Sequence, residues 1–230
     1  MGHHLLPGNP PVPVELRRSG RARQISLRVS GVDGKVTLTL PRGVAEREAL
    51  AFAQSKAGWL RSQLARQPET VVVGLGARIP VAGETVTLQP GAGRRVRLED
   101  GLLYVPGEAA TAARRVQAWL KATARDRLAK ASDRYAAALG RPYSRITLRD
   151  TRSRWGSCTQ DGGLMYSWRL VMAPPEVLDY VAAHEVAHLA EMNHSRAFWD
   201  TVARLMPGYN APRAWLRAQG GALHRYRFKD

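Results

Sequence analysis

Apolar and polar residues alternate with period two across residues 24–40, where Ile25, Leu27 and Val29 are followed, after Asp33-Gly34, by Val36, Leu38 and Leu40. That pattern predicts a β-hairpin with one buried face, closed by Pro41. From Val44 to Arg66 the period lengthens to that of a helix. Ala49, Phe52, Ala53, Lys56, Leu60 and Leu64 lie near one stripe, and Trp59 is placed to pack the helix on the hairpin. Between residues 71 and 105, short β-prone pieces are separated by Gly-containing turns and read as hairpins that extend the first sheet.

A long helical pattern then runs from about Glu108 to Leu139 and is stopped by Gly140 and Pro142; Trp119, Ala122, Leu128, Ala131, Tyr135 and Leu139 fall on its buried side. A strand at 145–149 leads to Arg154-Trp155-Gly156-Ser157-Cys158, an Asp161-Gly162-Gly163 turn and an apolar run over 164–172. Pro174 and Pro175 suit the first turn of another helix, where a missing N–H costs nothing, and Val177, Leu178, Val181 and Leu189 would bury its one side. Ser195 is a good N-cap for a helix over 196–206, ended by Pro207-Gly208, in which Phe198, Val202 and Leu205 brace the preceding loop. A last helix spans 211–218. The pattern therefore predicts an α+β chain with a flexible leader over 1–13, a β-rich lobe over 14–107 carrying the helix at 44–66, a second lobe over 108–224 and a mobile basic tail over 225–230.

Composition adds limits. A chain of 230 residues can bury a sizeable core. The single cysteine, Cys158, excludes an internal disulfide framework and fits a reducing compartment. The start lacks a signal-peptide pattern and no apolar run approaches 18 residues, so a soluble, cytoplasmic protein is expected. His3 and His4 lie in the Pro-rich leader and receive no role. A net charge of +16 points toward nucleic acid or another polyanion. That reading is discounted, because the excess is mostly Arg alongside abundant Ala and Gly, the bias of a GC-rich genome.

The chemistry lies in the helix after Pro175. Residues 184–194 read His-Glu-Val-Ala-His-Leu-Ala-Glu-Met-Asn-His. Positions four apart share a helix face, so His184 and His188 can hold one divalent ion between them while Glu185 reaches a water on that ion. His194 follows six residues later, where a helix ending near Asn193 would bring the chain back to the same ion. Only 6 of the 230 residues are His, so this spacing is specific. Imidazoles suit Zn, Cu, Fe, Co or Ni, and three of them leave an open fourth position, which is the catalytic rather than the structural arrangement; one zinc ion is expected, with other divalent transition metals open. Zinc would acidify the water and polarise a carbonyl, and Glu185 would move the proton to the leaving group. Glu191, three residues past His188, is a candidate to orient a ligand histidine. Cys158 reads as a small buried hydrophobe rather than a nucleophile.

The order of Trp-Gly-Ser-Cys, turn, strand, Ala-Pro-Pro, His-Glu-x-x-His and Asn-His-Ser with Phe198-Trp199 resembles the YgjP-like metal-dependent hydrolases, which are similar to the SprT and Wss types of zincin metallopeptidase. The resemblance covers most of the chain and is strongest over 150–200. It implies a zincin-like catalytic lobe with a HExxH helix on a small mixed sheet, with His184, His188 and His194 as ligands and Glu185 as general acid and base. Ser167 departs from the Asn expected there in many members. By analogy with zincins, the strand Leu164–Leu170 is expected to pair with an extended peptide, with Tyr166 as a side-chain contact and Trp168 in the core. Arg152, Arg154, Tyr209 and His224 are candidates to steady the oxyanion, Arg154 and Tyr209 being named as substrate contacts. Three functions stay open: a zinc peptidase acting on proteins or peptides, which is favoured; a metal-dependent nucleotide or phosphoester hydrolase; and a polyanion-binding protein with a structural metal.

Overall fold

The computed structural model describes residues 2–31, 34–65 and 69–228. Its internal contacts separate two units, Met1–Glu69 and Thr70–Asp230. The division falls well before residue 107, where the sequence reading placed it.

In the first unit four strands form one sheet in the order β1-β2-β4-β3: β1 Gly2–Leu6, β2 Val12–Ser19, β3 Ser26–Val29 and β4 Val36–Pro41. The hairpin β3-β4 is antiparallel, as the alternation predicts; of its turn, Asp33 lies outside the described residues. The expected leader is instead a paired strand, with β1 running antiparallel to β2 and β2 parallel to β4. Leu6, Val12, Val14 and Leu16 are all buried, so the Pro-rich turn between β1 and β2 interrupts an apolar face that continues on both sides.

The helical stretch divides into α1 Glu46–Ser55 and α2 Ala57–Ala65 around Lys56, with Arg66 outside the described residues. Ala49, Ala53, Ala57 and Leu60 are buried, whereas Trp59 is 46% exposed and does not serve as the expected packing residue. It lies two positions from Ala57, about 200° round a helix and away from the buried stripe.

In the second unit, β6 Arg78–Val81, β7 Glu84–Gly91, β8 Arg97–Glu99 and β9 Leu102–Pro106 make a sheet of their own, in the order β6-β7-β9-β8, and do not extend the first. Ile79, Val81, Val86, Leu88, Leu103 and Val105 supply its buried face. The helix α3 Ala112–Leu139 packs on this core through Val116, Leu120, Ala124, Leu128, Ala131 and Tyr135, and Gly140 ends it in the left-handed conformation. The buried stripe in the first half of α3 runs through Val116 and Leu120, so Trp119 is only half-buried and Ala122 is exposed, contrary to the expected face.

A three-stranded mixed sheet follows, β10 Arg145–Arg149, β11 Gly156–Cys158 and β12 Gly163–Ser167, in the order β10-β12-β11. β12 ends at Ser167 and the apolar run continues as a 3₁₀ turn, Trp168–Met172. Helices α4 Pro175–Ala187, α5 Arg196–Leu205 and α6 Asn210–Gln219 complete the α+β architecture.

The expected mobile tail is ordered as far as Phe228, and its last two residues lie outside the described residues. Residues Gly220–Arg225 form a 3₁₀ turn, β13 Tyr226–Arg227 pairs in parallel with β5 Val71–Val72, and Leu223, His224 and Phe228 are buried. Arg169 fastens this segment: its guanidinium donates to both Asp150 carboxylate oxygens, at 2.7 and 3.2 Å, and to the carbonyls of Leu223 and Tyr226. The basic composition of the tail hid the apolar positions that anchor it. No described helix is long and apolar enough to cross a membrane.

Candidate metal centre

α4 starts at Pro175, which needs no N–H partner in the first turn, and buries Val177, Leu178, Val181, Ala182 and Val186. Four-residue spacing then sets the rings of His184 and His188 side by side, 5.1 Å between centroids. The helix stops earlier than the expected Asn193: Leu189 and Ala190 bond back to carbonyls three residues before them, and the chain leaves α4 after Ala187. The following loop is what returns His194. Ser195 caps α5 as expected, accepting from the Phe198 N–H at 3.4 Å.

The three histidines meet. One ligand-capable nitrogen from each lies within 4.8 Å of the others, and His194 Nε2 is 3.1 Å from His184 Nε2. His188 Nδ1 is 2.9 Å from the carbonyl oxygen of Glu191. A carbonyl only accepts, so this contact places the proton on Nδ1 and leaves the lone pair on Nε2. The side chain of Glu191 was expected to orient a histidine; the contact with His188 is made by its backbone oxygen. His184 Nδ1 is buried without a hydrogen-bond partner among the described residues. Phe198, fully buried, stands against all three rings with centroids at 4.9, 4.4 and 4.7 Å; of the other two expected bracing residues, Val202 is buried and Leu205 is half-buried.

Glu185 faces the same cleft, which has a volume of about 220 Å³ and is lined by Gly156, Ser157, Cys158, His184, Glu185, His188, Met192 and His194. Burial raises the Glu185 carboxyl to about 8, against a lowering pull from the Arg154 guanidinium. Burial also depresses His184 to about 3 and lowers His188, so both rings are neutral, the form a metal requires. Cys158 is pushed up to about 11, chiefly by burial and then by the Glu185 charge, which agrees with an unreactive thiol.

The donor set therefore fits a divalent transition metal. Three imidazoles converge, one with its tautomer fixed, and a carboxyl group stands beside them outside the histidine set.

Other expected site residues fare differently. Tyr166 is fully buried and shares a hydrogen bond of 3.0 Å with Ser132, which leaves it no surface for a substrate. β12 is bonded on one side to β10 and on the other to β11, so it has no free edge for an added strand. Trp168 is in the core, as expected. Arg154 is exposed, and its charge reaches Glu185. Tyr209 is stacked between Tyr180 and Trp199 and is not among the residues lining the cleft. His224 is buried, its ring centroid 5.1 Å from that of Trp155, and Ser167 Oγ is buried without a partner among the described residues. The sequence reading passed over Gly156 and Met192 as cleft residues; three small residues just before a Gly-Gly turn were the signal for a strand that another group approaches closely.

A family model described as YgjP-like, metallopeptidase domain, matches residues 23–219. No curated protein matches the chain. Among solved structures, the crystal structure of the metallopeptidase zymogen of Pyrococcus abyssi abylysin is similar at 23% identity, covering 42% of this chain and 92% of that one with a TM-score of 0.34. A likeness of that strength carries no structural detail across.

Proposed function

Because the chain belongs to the YgjP-like family of metallopeptidase domains, we propose that its cleft hydrolyses peptide bonds with zinc held by His184, His188 and His194 and with Glu185 as general acid and base. Membership of the family implies a divalent metal and a protein or peptide substrate. The carrying observation is the convergence of three imidazoles and one buried carboxyl group on a single small cleft.

When bound there, zinc supplies a Lewis acid that polarises a carbonyl and acidifies water. The rest falls to the chain. His188 is held in one tautomer by the Glu191 carbonyl, and Phe198 fixes the planes of all three rings. Burial of Glu185 in the cleft wall makes its carboxylate a stronger base toward water and leaves its acid form able to give the proton to a departing amine. Arg154 offsets part of that preference from the solvent side, and is a candidate contact for the substrate as well.

The test is Glu185→Gln compared with wild type on unstructured protein substrates, with metal content measured on both. The expected result is retained zinc and loss of hydrolysis by at least about 10²–10⁴-fold, the usual contribution of a positioned proton-transfer group. Unchanged turnover in the metal-loaded variant would remove Glu185 from the mechanism. Phosphate release from nucleotides by the same preparation, abolished by the same variant, would move the assignment to a nucleotide hydrolase.

A further inference from the structure

The cleft wall opposite α4 is β11, and its first residue, Gly156, lies against Glu185. A Cβ added to Gly156 would stand 2.5 Å from Glu185 Oε1, 2.6 Å from Cγ and 2.7 Å from Cδ. Real Cβ atoms do not approach so closely, so something must move. Backbone conformation is not the reason for glycine here, since the φ of Gly156 lies outside the left-handed region.

The strand cannot retreat. Gly156 is opposite Tyr166 in the antiparallel pairing with β12, and the Trp155 carbonyl accepts from the Ser167 N–H at 2.8 Å. Tyr166 is itself tied to Ser132 in the core. Just before the strand, the Trp155 ring stands against Gly220 and His224. Glu185 would therefore have to yield, and it is only 5% exposed on a buried helix.

We propose that Gly156 is a positioning residue: the side chain it lacks is the space in which the Glu185 carboxylate is held beside the three histidines. This inference rests on the assignment of Glu185 as the proton-transfer group. Any residue with a Cβ at 156 turns the carboxylate out of that space and leaves the histidines where they are.

Gly156→Ala in the zinc-loaded, full-length protein tests it. Metal content is expected to stay at the wild-type level and KM to stay within about twofold, while kcat falls about a hundredfold, the cost of misplacing a reacting group by about an ångström. A merely structural role is separated by thermal unfolding in two backgrounds. Gly156→Ala lowers Tm when residue 185 is Glu and leaves it unchanged when Glu185→Ala has removed Cγ, Cδ and Oε1. A Gly156→Ala protein that folds only in the Glu185→Ala background supports the proposal equally. Wild-type kcat in Gly156→Ala, or the same loss of Tm in both backgrounds, overturns it. If Glu185→Gln retains full activity, the functional assignment fails, while the Tm comparison still reads the contact on its own.

Discussion

His194 Nε2 stands 3.1 Å from His184 Nε2, across ten residues of sequence and the loop that ends α4. Two imidazole nitrogens each ~2.0–2.1 Å from one tetrahedral zinc would be ~3.3 Å apart. The protein thus holds the pair near the spacing a shared ion imposes. His194→Ala is expected to keep the fold, because His194 is exposed on a loop, and to weaken zinc binding by more than the roughly 10–100-fold that loss of an outer-shell partner costs. Competition against a chromophoric chelator measures it, and unchanged affinity would leave the ion with two imidazoles only.

Glu185 makes a pH prediction for the metal-free protein. Its folded carboxyl lies at about 8, above the ordinary carboxyl value of 4.5. Stability associated with this group is therefore fully present below about pH 4.5 and is lost as pH rises through 8. Glu185→Gln removes that dependence, so chelator-treated variant should gain on wild type steadily between pH 5 and 8, by a few kcal/mol at about 1.4 kcal/mol per pKa unit. His184 works in the opposite sense: lowered to about 3, it withdraws stability as pH falls below 6.5, and that acid arm should be the same in both proteins. Urea unfolding across the range reads both arms. Parallel curves above pH 5 would mean that the carboxyl is not buried.

The site was more legible than the scaffold because its signal is local. Three histidines and a glutamate within eleven residues carry their geometry in a helical period and one loop, whatever surrounds them. The remainder needed long-range information. β1 and β13 are short strands in Pro-rich and Arg-rich sequence, and only their partners β2 and β5 make them strands. The mistaken choice of β12 as the open edge has the same origin: alternation marks a strand but says nothing of how many neighbours it has. Gly156 was visible as a glycine, but its meaning depends on a glutamate twenty-nine positions later.

Tyr166 separates core from cleft. Its hydroxyl shares a buried hydrogen bond with Ser132, and burial raises its pKa far above the ordinary phenol range. Tyr166→Phe should cost about 1–3 kcal/mol by leaving Ser132 Oγ unpaired, with kcat and KM for a peptide unchanged. A raised KM at unchanged stability would return Tyr166 to the substrate-binding surface.

Cys158 lines the cleft beside the three histidines. With its thiol at about 11, the thiolate is scarce near neutral pH. Alkylation by iodoacetamide at pH 7.5 should be far slower than for a free cysteine, and Cys158→Ala should hydrolyse peptides at close to the wild-type rate. Rapid labelling that follows zinc removal would point instead to a thiol that the ion shields.

Arg169 ties the C-terminal segment to the core. Its side chain is 8% exposed and donates to Asp150, Leu223 and Tyr226 at once, lying also over the rings of Trp168 and Phe228. Removing one partner of a buried ion pair costs about 3–5 kcal/mol. Asp150 is 42% exposed and can be rehydrated, so Arg169→Met should cost less, about 2–3 kcal/mol. Asp150→Asn should cost less again, because Arg169 keeps both carbonyls. The segment also meets Trp155, the residue before Gly156, so its release loosens the cleft wall. Trypsin therefore should cut at Arg225 and Arg227 early in Arg169→Met and late in wild type, with kcat falling alongside. A tail that is equally resistant in both proteins would show that β13 and Phe228 hold it without the guanidinium.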